Sequence, residues 1–215
     1  HRGLSSGAAV FGAATPALTR DAVITAYSSG EIYALQMGTG TPLWSENLAP
    51  LARAAGTTGF SDIRALPIVD SNIVYAASYS NRLSAIDSRT GKQLWQVPLG
   101  SGSTPWVSGN RLFMVDSLGT MISVDRANGQ VIWQVDLPRF KDADDNKGAI
   151  TWQGPYLAGG RLLIFGSHGM AQSYNPVDGS LMNEWKIGND ILLPAAIAEG
   201  TLYLLGNNGK LTAWE

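Results

Sequence analysis

The residues best suited to chemistry lie in one short run, Lys141-Asp142-Ala143-Asp144-Asp145-Asn146-Lys147. Oxygen ligands at 142, 144 and 146 have the spacing with which a calcium loop begins. Such a loop then needs Gly at its sixth position and Glu at its twelfth, and these are Lys147 and Gln153. The run therefore reads as a solvated loop. The histidines are His1 and His168, too few for a His-based zinc site. His168 stands in the turn Gly166-Ser-His-Gly169 and reads as a solvated turn residue. There is no cysteine, which removes disulfides, thiolate ligands and a cysteine nucleophile. Gly38-Thr-Gly40 is a turn with no helix after it, so it is not a phosphate loop. No catalytic residues, metal ligands or cofactor site are expected.

A different kind of chemistry is open to Asp62 and Arg64. They are two residues apart, so in an extended run they share one face while Ile63 points the other way. Two opposite charges on one face suit the docking of another protein.

The elements that must position these residues are announced by a repeated phrase. Its copies run Gly30 to Trp44, Asn81 to Trp95 and Gly119 to Trp133, with a looser one from Gly169 to Trp185 and a last from Gly209. The steps between the opening positions alternate between about 50 and about 40 residues, the range of propeller blades. A small residue always follows four places later: Ala34, Ala85, Ser123, Ser173 and Ala213.

Each unit reads as four short strands joined by Gly-rich turns such as Ser71-Asn72, Gly109-Asn110 and Gly159-Gly160. The first strand carries a Pro, the third the small residue and the fourth the Trp. The small residue should let neighbouring sheets approach, and the Trp should fill the wider gap at the rim. Gly40, Gly91, Gly129 and Gly179 should supply positive φ before the fourth strand. The expected class is all-β, a β-propeller of four-stranded antiparallel blades. The chain contains five sets of the first three strands but only four outer strands.

Composition agrees. Of 215 residues 45% are hydrophobic and 15% charged, with 25 Gly, seven Trp and seven Tyr. The net charge of −2 gives no footprint for nucleic acid. No apolar run nears the roughly 18 residues of a membrane span. The joins Ser45 to Ile63 and Pro138 to Trp152 are longer than a propeller needs. Both should share one end of the ring with the turns between second and third strands, and that end is the expected binding surface.

The run Ala85-Ile-Asp-x-x-x-Gly91-Lys-x-x-Trp95 resembles the repeat of pyrroloquinoline-quinone-type propellers. The segment Ser61-Asp62-Ile63-Arg64-Ala65-Leu66-Pro67, Thr104-Pro-Trp-Val-Ser-Gly109 and the stop after Leu211-Thr-Ala213 are similar to a narrower group. That group is the lipoprotein family of the bacterial outer-membrane β-barrel assembly machinery. The resemblance implies an eight-bladed ring, of which residues 1–215 form one propeller domain holding about five blades. It places the first blades and the lipid-anchor region outside this sequence.

The resemblance also implies a non-catalytic scaffold in the periplasm, at the inner leaflet of the outer membrane, touching the membrane only through that anchor. The partners it implies are the periplasmic domains of the barrel-insertion subunit and unfolded outer-membrane proteins. The matching docking positions are Asp62, Arg64, Phe60, Val10 and Phe11. The family's best-studied form has an acid where Arg64 falls and an Arg where Phe11 falls. Two other readings stay open at this point: a quinone-dependent dehydrogenase propeller, and a generic peptide-binding propeller.

Overall fold

The computed structural model describes residues 15–27, 29–48, 65–79, 81–101, 103–188, 191 and 193–214. Among these residues there is no helix, and every regular element is a strand. The first sheet is β1 (Ala17–Leu18), β2 (Ala22–Ala26), β3 (Glu31–Gln36) and β4 (Pro42–Asn47). The second is β5 (Ile68–Asp70), β6 (Ile73–Ser78), β7 (Arg82–Asp87) and β8 (Gln93–Val97). The third is β9 (Trp106–Ser108), β10 (Arg111–Val115), β11 (Thr120–Asp125) and β12 (Val131–Asp136). A two-stranded hairpin follows, β13 (Phe140–Asp142) and β14 (Lys147–Ala149). The fourth sheet is β15 (Trp152–Ala158), β16 (Arg161–Gly166), β17 (Met170–Tyr174) and β18 (Leu181–Lys186). The last has three described strands, β19 (Ala196–Ala198), β20 (Thr201–Leu205) and β21 (Leu211–Trp214).

Within each sheet the strands pair antiparallel in chain order. The first strands β1, β5, β9 and β15 lie beside one another, so the sheets stand side by side about an inner edge. This is the propeller arrangement, with the core divided among the gaps between sheets. Ile24 and Ala34 of the first sheet meet Val74 and Ile86 of the second. Tyr75 and Leu83 of the second meet Leu112 and Ile122 of the third. Phe113 and Met121 then meet Leu162 and Tyr174, and Phe165 and Ala171 meet Leu202 and Leu204. Strand alternation makes this possible: Ala85 faces the following sheet while Ile86 faces the preceding one.

The small residues sit where close approach demands them. Ala34, Ala85, Ser123 and Ser173 are fully buried. Trp44, Trp95 and Trp133 lie directly opposite the first three in register. Each of these Trp residues reaches the next sheet. Their indole N–H groups donate to the carbonyls of Ser88, Arg126 and Pro176, at 2.8, 3.0 and 3.1 Å. Each ring lies against the turn glycine of that sheet, Gly91, Gly129 or Gly179. A Cβ there would sit 2.7 Å from the ring or its Cβ, so these glycines serve contact as well as their positive φ of 74–76°. Trp44 is buried, and Trp95 and Trp133 are half-buried.

The fourth sheet departs from the repeat. Ser173 pairs with Asn183, while Trp185 stands two residues further along β18, opposite Ala171. The side-chain period of a strand is two, so both positions face the same gap. Trp185 fills the gap to the last sheet with Phe165 and Ile191.

Candidate functional site: the face of joins and inner turns

One end of the propeller collects the joins between sheets and the turns between second and third strands. The repeat explains why. The opening residue of each phrase takes positive φ: 89° at Gly30, 66° at Asn81, 84° at Gly119 and 79° at Gly169. The carbonyls of Gly30, Gly119 and Gly169 then accept from the backbone N–H of Leu48, Leu137 and Ile187, at 2.7, 3.0 and 3.0 Å. The chain leaving an outer strand is thereby tied to the inner turn of its own sheet.

Asp62, Arg64, Phe60, Val10 and Phe11 lie outside the described residues. Both ends of the 49–64 join are anchored on this face: Leu48 and Ala65 are each 1% exposed. The Leu66 N–H donates to Thr104 Oγ1 of the third sheet at 3.1 Å. Strand β4 continues to Asn47, three residues into the stretch assigned to a join from sequence.

The second long join is not a loop. Residues 140–149 form the β13–β14 hairpin, paired Phe140 to Ala149 and Asp142 to Lys147. Asn146, at φ 52°, shapes its tip. The acids are engaged within that tip: the Asp142 carboxylate accepts from the Asp145 N–H at 3.2 Å, and Asp145 pairs with Lys147 at 2.6 Å. Among the described residues no three acidic or imidazole side chains converge as a metal site would require. His168 is not simply solvated. It is half-buried, with its ring edge-on to Trp152 at 5.2 Å, and the missing Cβ of Gly166 leaves room for it.

Beside the hairpin lies a groove of about 260 Å³, lined by Tyr79, Ser103, Asp116, Ser117, Thr151 and Gln153. Tyr79 is 39% exposed and Leu118, on the neighbouring turn, 70%. The turns near Tyr79 and Ser117 were expected at this end from sequence, but Leu118 was not singled out, because a lone apolar residue in a turn carries no pattern. The Asp116 carboxylate is committed to the turn, accepting from the N–H groups of Leu118 and Thr120 at 2.8 Å. The groove is built for surface contact, with hydroxyls and an aromatic rim. A larger concavity of about 320 Å³, between the fourth and last sheets, is lined by Leu163, Phe165, Trp185, Leu202 and Trp214. Its lining is that of a gap between sheets.

A family model described as "Outer membrane protein assembly factor BamB" matches residues 1–135. The chain belongs to the BamB family. It is 25% identical over 197 residues to the BamB of Legionella pneumophila, covering 92% of this chain and 49% of that protein. It is 26% identical over 203 residues to the BamB of Salmonella typhimurium, covering 94% and 50%. The chain thus spans about half the length of the curated relatives it matches. Among solved structures, BamB from Moraxella catarrhalis superposes with a TM-score of 0.84 at 21% identity, covering 100% of this chain and 62% of that one. A quinohemoprotein alcohol dehydrogenase from Pseudomonas putida shares the fold, with a TM-score of 0.65 at 18% identity over 94% of this chain and 40% of that one.

Proposed function

We propose that this BamB-family chain works as a non-catalytic scaffold of the outer-membrane protein assembly machinery. It docks the periplasmic domains of the barrel-insertion subunit and assists delivery of unfolded outer-membrane proteins. Its place is the periplasm, held at the inner leaflet of the outer membrane through a lipid anchor. The complete ring in this reading has eight blades. The observation that carries the proposal is the family match, joined to a face where the residues flanking both long joins, Leu48, Ala65, Leu137 and Trp152, are anchored by burial. Asp62, Arg64, Phe60, Val10 and Phe11 are the proposed contact residues.

The experiment is a binding titration between the full-length protein and those periplasmic domains. A surface ion pair contributes about 0–1 kcal/mol to stability. Reversing both charges should therefore leave the melting temperature unchanged and weaken binding at least tenfold, about 1.4 kcal/mol. Normal binding by the double reversal removes the site assignment. No binding by the unaltered protein removes the partner. The dehydrogenase reading predicts instead that added pyrroloquinoline quinone raises the melting temperature.

A further inference from the structure

The join between the third and fourth sheets does more than the fold requires. The same step between the second and third sheets runs from Val97 to Trp106 with no strand of its own. Between Asp136 and Trp152 the chain instead builds β13 and β14. Phe140 is half-buried, and every residue from Lys141 to Ala149 is exposed. None of them belongs to a core cluster. A two-stranded hairpin standing alone in water is marginal, so its order must come from elsewhere.

It comes from the two feet. Leu137 is 3% exposed and Trp152 is 7% exposed, and both sit in the gap between the third and fourth sheets. The Trp152 indole N–H donates to the Pro138 carbonyl at 2.9 Å, tying one foot to the other. The Ile150 N–H donates to the Arg139 carbonyl at 2.8 Å.

The cations where the chain enters the hairpin, Arg139 and Lys141, are arranged differently from the acids at the tip. Arg139 and Lys141 are two apart and share a face. Their stems are laid over glycines. A Cβ at Gly119 would stand 3.3 Å from Arg139 Cγ, and one at Gly148 would stand 3.1–3.2 Å from the Lys141 stem. Their charged heads have no ion pair among the described residues, whereas Lys147 is taken by Asp145. Side chains whose stems are already held lose less freedom on binding than free ones do.

We infer that the β13–β14 hairpin is a preformed docking arm for a partner protein with an acidic contact surface, its carboxylates taken by Arg139 and Lys141. This deepens the docking role proposed above and rests on it. The test uses the full-length protein in cells, with a photocrosslinking residue in place of Ala143 at the tip. The arm predicts a discrete adduct, identified by mass spectrometry, that falls at least tenfold when Arg139→Glu and Lys141→Glu are introduced. Abundance and melting temperature should not change, because neither head has an ion pair among the described residues. Asp144→Asn should leave the adduct intact or increase it. A charge-sensitive adduct with the barrel-insertion subunit supports both readings. A charge-sensitive adduct with a different acidic protein keeps the arm and overturns the proposed partner. No adduct, or one indifferent to the charge reversals, overturns the arm.

Discussion

The indole N–H of Trp44 donates to the carbonyl of Ser88, which belongs to the following sheet. The ring rests at the same time on Gly91, where an added Cβ would stand 2.7 Å from Trp44 Cβ and Cγ. Gly91→Ala should therefore cost more than conformation alone. Its φ of 74° is matched by 69° at Gly40, where a Cβ meets nothing within 4 Å. Gly40→Ala should lose about 1–2 kcal/mol from the left-handed backbone. Gly91→Ala should lose a further 1–3 kcal/mol or so from overpacking. Urea denaturation of the two variants checks this, and equal losses would show that the Trp44 contact gives way freely.

Ser123 and Ser173 are fully buried, and their hydroxyls have no hydrogen-bond partner among the described residues. A buried polar atom without a partner costs about 1–3 kcal/mol. Ala occupies the same place in the first two sheets, at Ala34 and Ala85. Ser123→Ala and Ser173→Ala should each stabilise the protein by about 1 kcal/mol, read as a higher urea midpoint at unchanged slope. A loss of stability in either variant would mean that its hydroxyl finds a partner in solution.

Arg126 staples the third sheet to the second at the other end of the propeller. It pairs with Asp70, and it donates from Nε to the Tyr75 hydroxyl at 2.9 Å and from Nη1 to the Gly109 carbonyl at 3.0 Å. Its side chain is 18% exposed and that of Asp70 is 43%. The weight of the staple should thus fall on the Tyr75 and Gly109 bonds. Arg126→Met should cost about 2 kcal/mol, and Asp70→Asn under about 1 kcal/mol. Thermal or chemical melts that rank the two the other way would place the weight on the ion pair.

Burial pushes the Tyr174 hydroxyl up from 10.0 to about 12, with the nearby Glu184 charge adding to the effect. That hydroxyl also donates to Gln172 Oε1 at 2.8 Å. Between those two values the folded protein holds a proton that the unfolded chain has released. Stability from this source is whole below pH 10 and falls as pH rises toward 12, at about 1.4 kcal/mol per pH unit for one group. Tyr174→Phe should be less stable at neutral pH and should lose less between pH 10 and 12. An unchanged alkaline slope would assign the loss to other groups, such as Tyr75, whose hydroxyl burial also raises.

The fold was legible because one unit is written several times over. The opening Gly or Asn needs positive φ, and the small third-strand residue needs to vanish into a gap. Two such constraints a fixed distance apart reveal a blade without any tertiary information. The looser fourth copy has its reason in the register: a strand's period of two lets Asn183 and Trp185 face the same gap, and only the pairing separates them. The β13–β14 hairpin was hidden for a different reason. Lys, Asp and Gly are weak strand formers, and its pairing is held by Leu137 and Trp152 outside it. Of the candidate face, the two long joins could be read as surplus length. The pinning of Arg139 and Lys141 over glycines could not, because Gly119 and Arg139 are brought together only by the fold.

The three Trp contacts all run forward along the chain, reaching 44, 31 and 43 residues ahead. A newly made or newly translocated sheet therefore has its strands before it has its latch. The rim stays unfastened until the next unit has emerged and turned. Assembly of the first three sheets accordingly has a direction, each completed by its successor, and the interval of exposure is set by the rate at which the chain is delivered.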